Sequence, residues 1–275
     1  NALKMMLVHS ANDIAMAIGE TVGGSEEGFV AMMNAEAARL GMTNTHFINP
    51  NGLPGKGQYT TARDLAVLAR MTIEEAPDLY RRFYATSSFT WGKTMGGSEI
   101  NQANRNPILG KVAGADGLKT GHTEEAGYGF TGSAIQNGRR LVMVVAGLDS
   151  FNGRISESVR FMDWGFKAWR LQPLYKKGAK VAVADVQGGW SRHVDLVAGR
   201  DLAATVPNSV SGQMKAKVVY DGPLNAPIAK GQKVAHLIVD AGDGDTQSLP
   251  LVASEAVSEG GFFARLWTGF LSFFS

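Results

Sequence analysis

Two short runs in this chain combine residue types that can handle a peptide and its end group. Lys119-Thr120-Gly121, within Ala115-Asp116-Gly117-Leu118-Lys119-Thr120-Gly121-His122-Thr123, places a cation, a hydroxyl and a position without a side chain in a row, just ahead of a strand-like segment. A strand edge of this kind can hold a carboxylate and a peptide carbonyl together, because the ammonium and hydroxyl donate and the glycine admits a second backbone. Upstream, Ser10-Ala11-Asn12 sets a hydroxyl and an amide two positions apart. Chance gives about 0.8 Ser-x-Asn and about 0.09 Lys-Thr-Gly in a chain of this composition. A second Ser-x-Asn, Ser150-Phe151-Asn152, is indeed present, whereas Lys-Thr-Gly occurs once.

These runs need elements to position them. Residues 1–80 read as helical. Asp13–Ile18 follows Ser10, and Glu26–Leu40 lines up Phe29, Val30, Met33, Ala37 and Leu40 before Gly41. Gly52–Gly57 is a turn-rich loop, and Thr61-Ala62-Arg63-Asp64 starts a helix, Leu65–Glu75, that stops before Pro77. From Ser87 the period falls toward two. Ser87–Trp91 and Ala115–Thr120 read as strands, and Gly127–Gln136 and Arg140–Leu148 as a hairpin turning at Asn137-Gly138. Ile155–Leu171 is predicted as an amphipathic helix, completing an α+β domain over 1–172. Pro173 is taken as the boundary. Beyond it, short runs punctuated by Gly, Pro and Asp predict a small all-β domain, 173–258, of sandwich or barrel type.

The tail, 259–275, changes character again. Phe262, Phe263, Leu266, Trp267 and Phe270 recur at helical spacing in an apolar stretch of about 13 residues, short of the roughly 20 that span a bilayer. The pattern predicts an amphipathic helix lying on a membrane surface; the competing reading is a terminal helix packed on its own domain. At the other end, Asn1-Ala2-Leu3-Lys4-Met5-Met6-Leu7-Val8 opens on an amphipathic run without a cap, as a helix cut in mid-course, so the chain is expected to lack an N-terminal part.

Composition narrows the function. A net charge of +2 from 27 basic and 25 acidic residues, with no basic block longer than a pair, argues against nucleic-acid binding. The absence of cysteine removes disulfides and thiolate metal sites, and the five histidines show no ligand spacing, so neither metal nor cofactor is expected.

Several segments in order resemble a known family. His9-Ser10-Ala11-Asn12-Asp13, Leu40–Phe47, Gly57–Asp64, Asn104-Arg105-Asn106, Asp116–Thr123, Asp163–Phe166 and Glu259–Phe263 look like the D-alanyl-D-alanine carboxypeptidases of the penicillin-binding protein 5 type, serine peptidase family S11. The resemblance implies a transpeptidase-like domain with an antiparallel sheet flanked by helices, here N-terminally truncated. It implies a serine that attacks the bond between two D-alanines of the peptidoglycan stem peptide, inhibition by β-lactams, and a place on the periplasmic face of the inner membrane. Ser10 then corresponds to a proton-relaying serine, Asn12 to an amide orienting the acylated peptide, and Lys119 to the lysine holding the terminal carboxylate. Thr120 would hydrogen-bond that carboxylate, and Gly121 would admit the substrate backbone. His122 matches the pattern, and Arg105 and Arg154 are candidates for electrostatic help. Each has an ordinary alternative: a helix cap for Ser10, a turn residue for Asn12, a solvated edge lysine for Lys119, architecture for His122 and surface ion pairs for the arginines. The absent Ser-x-x-Lys would carry the family's nucleophile and base, so this chain is expected to be inactive alone. Two other readings remain: a non-catalytic peptidoglycan-binding envelope protein, and a serine β-lactamase, against which the long β domain and the tail count.

Overall fold

The computed structural model describes residues 1–210, 214–242 and 244–261. The chain divides into two compact units, Asn1–Phe166 and Lys167–Ser275. The predicted helix at 259–275, with Phe262, Phe263, Leu266, Trp267 and Phe270, lies almost wholly outside the described residues.

The first unit opens on helices. α1 (Ala2–Lys4) runs into a π-helical turn, Met5–His9, that ends at Ser10 in the left-handed region (φ 60°). α2 (Asn12–Gly23) and α3 (Glu26–Arg39) come next; Ser25 Oγ accepts from Gly28 N and caps α3. α4 (Ala62–Glu75) starts where the sequence signal put it, with Thr61 Oγ1 accepting from Asp64 N. The buried Asp64 carboxylate accepts from Asn44 N and Thr45 Oγ1, tying the preceding loop to the helix. Pro77 stops α4 as expected. It also begins α5 (Pro77–Phe83), because proline lacks only a donor that the first turn of a helix does not use.

β1 (Ser88–Lys93) and β2 (Glu99–Ala103) form an antiparallel ribbon; the second of these was not anticipated. β3 (Ala115–Thr123), β4 (Gly127–Gln136) and β5 (Arg139–Leu148) form a three-stranded antiparallel sheet in the order β3-β4-β5. Asn137 (φ 50°) and Gly138 (φ 76°) make the predicted tight turn between β4 and β5. The sheet is buried on both faces. Leu118 packs with Ala69 of α4 and Tyr80 of α5, with Val142 alongside. Phe130, Ala134 and Met143 pack with Ile108, Val112 and Met162 of α6 (Phe151–Ala168), flanked by Leu141 and Val145. Successive residues of β5 thus serve opposite faces, as a pleated strand requires.

The second unit is β-rich. The predicted helix to Leu171 stops at Ala168, and Trp169–Tyr175 is a strand, β6, paired with β9 (Leu202–Pro207). Pro173 therefore lies within a strand and not at a boundary. The apolar period of α6 continues into Trp169, which is why the sequence extended the helix. β7 (Lys180–Gln187), β8 (His193–Ala198), β10 (Lys215–Val219), β11 (Leu224–Asn225), β12 (Lys233–Asp240) and β13 (Thr246–Ala253) build a six-stranded sheet in the order β10-β12-β13-β8-β7-β11. Leu202, Ala204 and Val206 alternate inward from β9 and share one core with Val194, Leu196, Leu237, Val239 and Leu251. The result is a mixed α+β unit followed by a β-rich one.

Candidate active site

The sheet order leaves β3 at an edge, so Lys119-Thr120-Gly121 lies on a strand with one side free of β partners among the described residues. The other side is fixed in register by Thr131, Phe130 and Gly129 of β4. At Gly121 an added Cβ would meet nothing within 4 Å, so internal packing does not require glycine here.

Lys119 crosses from this edge to the first helices. Its Nζ donates to Ser10 Oγ at 2.9 Å and to the Thr120 carbonyl at 2.7 Å, joining residues 109 positions apart. Ser10 is not the N-cap of α2: Ala11 occupies that position without a side-chain bond, and Ser10 closes the π-helical turn instead. Its left-handed conformation is uncommon for a residue other than glycine, and it coincides with the contact to Lys119. Asn12 opens α2 and is exposed; it takes no part in holding the ammonium.

Arg154, on α6, is buried (3% exposed) and donates from Nη1 to the Gly121 carbonyl at 3.2 Å, while its Nε has no hydrogen-bond partner among the described residues. Its guanidinium lies 5.4 Å from the Tyr128 ring and 5.2 Å from Phe151. His122 stacks on the first of these rings, with the centroids of His122 and Tyr128 3.8 Å apart. His122 thus touches the site through Tyr128. Arg105 is exposed, and its charge acts on both Lys119 and Arg154.

Three cations are therefore gathered without a carboxylate: among the described residues none of Lys119, Arg105 and Arg154 is in an ion pair. Burial above all, and then the charges of Arg105 and Arg154, bring the Lys119 ammonium down from 10.5 to about 8. Burial also opposes the charge on Arg154. An anion entering here would relieve Lys119 and Arg154. Among the described residues no group of three or more His, Asp or Glu could hold a metal ion.

Behind β3 lies a network the sequence did not reveal. Arg140 pairs with Asp116 through two bonds of 2.8 Å, Tyr80 Oη donates to Asp116 Oδ1 at 2.7 Å, and Arg140 also donates to Ser133 Oγ at 2.7 Å. Burial, then the neighbouring Asp116, pushes the Tyr80 phenol up. Gly117 sits under this phenol, where a Cβ would approach Tyr80 Oη to 2.4 Å. The network holds the first half of β3 and so sets where Lys119 begins. Arg140 had registered only as the first residue of the strand Arg140–Leu148, and nothing in the spacing linked it to Tyr80 or Asp116.

A model of the D-alanyl-D-alanine carboxypeptidases, peptidase S11, matches residues 1–150, and one of the penicillin-binding protein 5 C-terminal domain matches 169–259. The chain is 36% identical over 263 residues to the D-alanyl-D-alanine carboxypeptidase DacD of Escherichia coli, covering 95% of this chain and 66% of that protein. It is 34% identical over 265 residues to DacA of Haemophilus influenzae, again covering 95% and 66%. The chain thus spans about two thirds of the length of these relatives. Among solved structures, penicillin-binding protein 5 from Haemophilus influenzae superposes with a TM-score of 0.76 at 34% identity, covering 92% of this chain and 73% of that one. DacD from Francisella tularensis does so with a TM-score of 0.68 at 30% identity, covering 94% and 75%. A mixed α+β unit over the first match and a β-rich unit over the second agree with these findings: the chain belongs to the D-alanyl-D-alanine carboxypeptidases of serine peptidase family S11, of the penicillin-binding protein 5 type.

Proposed function

We propose that this chain carries the carboxylate-holding and proton-handling part of a serine D-Ala-D-Ala carboxypeptidase. The substrate is the peptidoglycan stem peptide. Its terminal carboxylate lies among Lys119, Arg105, Arg154 and the Thr120 hydroxyl, and its backbone runs along the free edge of β3 beside Gly121. Ser10 passes protons toward the leaving D-alanine, and Asn12 orients the acylated peptide. β-Lactams, which carry a carboxylate beside a reactive carbonyl, occupy the same place. The observation that carries this reading is the 2.9 Å bond from Lys119 Nζ to Ser10 Oγ, which unites the two motifs. Residues 262–275 attach the protein to a membrane surface, on the periplasmic face of the inner membrane. Among the described residues no helix is long and apolar enough to cross one.

The reaction needs a nucleophilic serine and its base, and these 275 residues contain no Ser-x-x-Lys. The chain by itself is therefore not acylated by a fluorescent penicillin; an adduct on Ser10 in mass spectrometry would make Ser10 the nucleophile and overturn the assignment. When a Ser-x-x-Lys segment from a relative is joined ahead of Asn1, Lys119→Ala lowers turnover by about 10²–10³-fold, and near-normal turnover reduces Lys119 to a surface lysine. The other reading is a peptidoglycan-binding envelope protein without catalysis. The coding sequence immediately upstream of Asn1 separates the two: an in-frame Ser-x-x-Lys supports the enzyme, and a start codon beside Asn1 supports the binder.

A further inference from the structure

Among the described residues of the second unit, one large apolar side chain is far more open than the rest. Trp190 is 74% exposed, against 45–46% for Leu171, Val183 and Val219. It sits in the turn between β7 and β8, and that turn is stitched to the last described residues. Trp190 N donates to the Ser258 carbonyl at 3.1 Å, Gly189 bridges Glu259, and Gly260 N donates to the Gly188 carbonyl at 2.8 Å. Gly189 permits this approach, since a Cβ there would come within 2.8 Å of Val257. The chain then reaches Gly261 beside the indole; a Cβ on Gly261 would lie 3.9 Å from Trp190 Cζ2. In the sequence, Gly261 leads straight into Phe262-Phe263-Ala264-Arg265-Leu266-Trp267. Arg192, two residues after Trp190, is exposed at the same turn.

We propose that the Trp190 turn is a second point of contact with the bilayer, seated beside the segment 262–275. This rests on the reading of that segment as membrane-binding. Tryptophan suits the headgroup region because its ring is apolar and its N–H still finds a partner there. Arg192 adds attraction to anionic lipid at the same depth. The occupant is a lipid surface because Gly261 lies beside the indole and the sequence that follows it is the apolar, aromatic segment. The turn is already held by backbone bonds, so inserting it orders little beyond one side chain.

The test measures cosedimentation of the full 275-residue chain with vesicles of phosphatidylethanolamine and phosphatidylglycerol. Trp190→Ser weakens partitioning by about 5–10-fold, Trp190→Phe retains most of it, and Arg192→Gln weakens it by about 3-fold at low salt only. Unchanged thermal unfolding of the variants excludes misfolding as the cause. A chain ending at Gly261 examines the tail separately. If that chain loses binding while Trp190→Ser binds as the parent does, the Trp190 contact is wrong and the tail reading stands. If the chain ending at Gly261 binds as well as the parent, and Trp190→Ser still weakens it, the turn contact stands and the tail reading fails. If the parent itself does not bind, both fall.

Discussion

Lys119 is asked to be charged in a place that resists charge. Burial and two arginines lower its ammonium to about 8, so the folded state gives up a proton that the unfolded chain keeps up to 10.5. Between those values the unfolded state binds more protons, and stability rises with pH. Below pH 8 the charged ammonium is a standing penalty. Lys119→Met should accordingly be more stable than the parent at pH 7 by about 1–2 kcal/mol, after the lost bonds to Ser10 and Thr120 are offset. The gap should shrink as pH rises toward 10.5; urea unfolding at a series of pH values checks it, and a parent more stable than the variant at pH 7 would refute it. Ligand binding runs the other way. Carboxylate affinity should fall as pH passes upward through 8, because the deprotonated amine no longer attracts an anion. At this scale the sequence was informative where a short motif could be recognised, as with Ser10 and Lys119. It was silent about Tyr80, Asp116 and Arg140, whose partnership depends on folds of the chain between them and on no local spacing.

Among elements, β3 is the one on which the site depends, and its placement rests on Gly117. An added methyl would press on Tyr80 Oη at 2.4 Å and on its ring carbons at 3.0 Å. Tyr80 is fully buried and bonded to Asp116, so it cannot swing aside without breaking the network. Gly117→Ala should destabilise the first unit by about 2–3 kcal/mol. Combined with Tyr80→Phe, which removes the crowded oxygen, the cost should be less than the sum of the single changes. Additive costs in urea unfolding would show that Tyr80 is not what Gly117 makes room for. The helices and strands of this unit were legible wherever a period and a cap agreed: Thr61 before α4, Asn137-Gly138 after β4. α5 was missed because Pro77 reads as a stop, although proline is as much at home in a first turn. β2 and β11 are too short, five and two residues, for an apolar alternation to stand out. β6 was hidden because Trp169 and Leu171 satisfy a helical period as well as a strand's.

For the whole molecule, composition set the class without locating the division. The sequence put the boundary at Pro173, whereas the chain divides after Phe166, inside α6. α6 ends at Ala168 and β6 begins at Trp169, so no loop lies between helix and strand. Brief trypsin treatment under native conditions should leave the bond after Lys167 intact and cut first in exposed loops such as that of Lys56. Early cleavage at Lys167, read by mass spectrometry, would contradict a continuous junction.

That junction has a further partner. Asn208 N donates to the Ala168 carbonyl at 2.8 Å and its Nδ2 to the Lys167 carbonyl at 2.6 Å, so the last carbonyls of α6 are satisfied from the end of β9. The helix is encoded before the β-rich unit but finished by it. A chimera that exchanges the second unit with a relative's at Ala168 would separate the helix from the residue that completes it. A crossover ahead of Phe151 keeps α6 and Asn208 in one inheritance, but it parts Met162 from Phe130 and Met143 and Arg154 from the Gly121 carbonyl, so each crossover cuts a different set of partners.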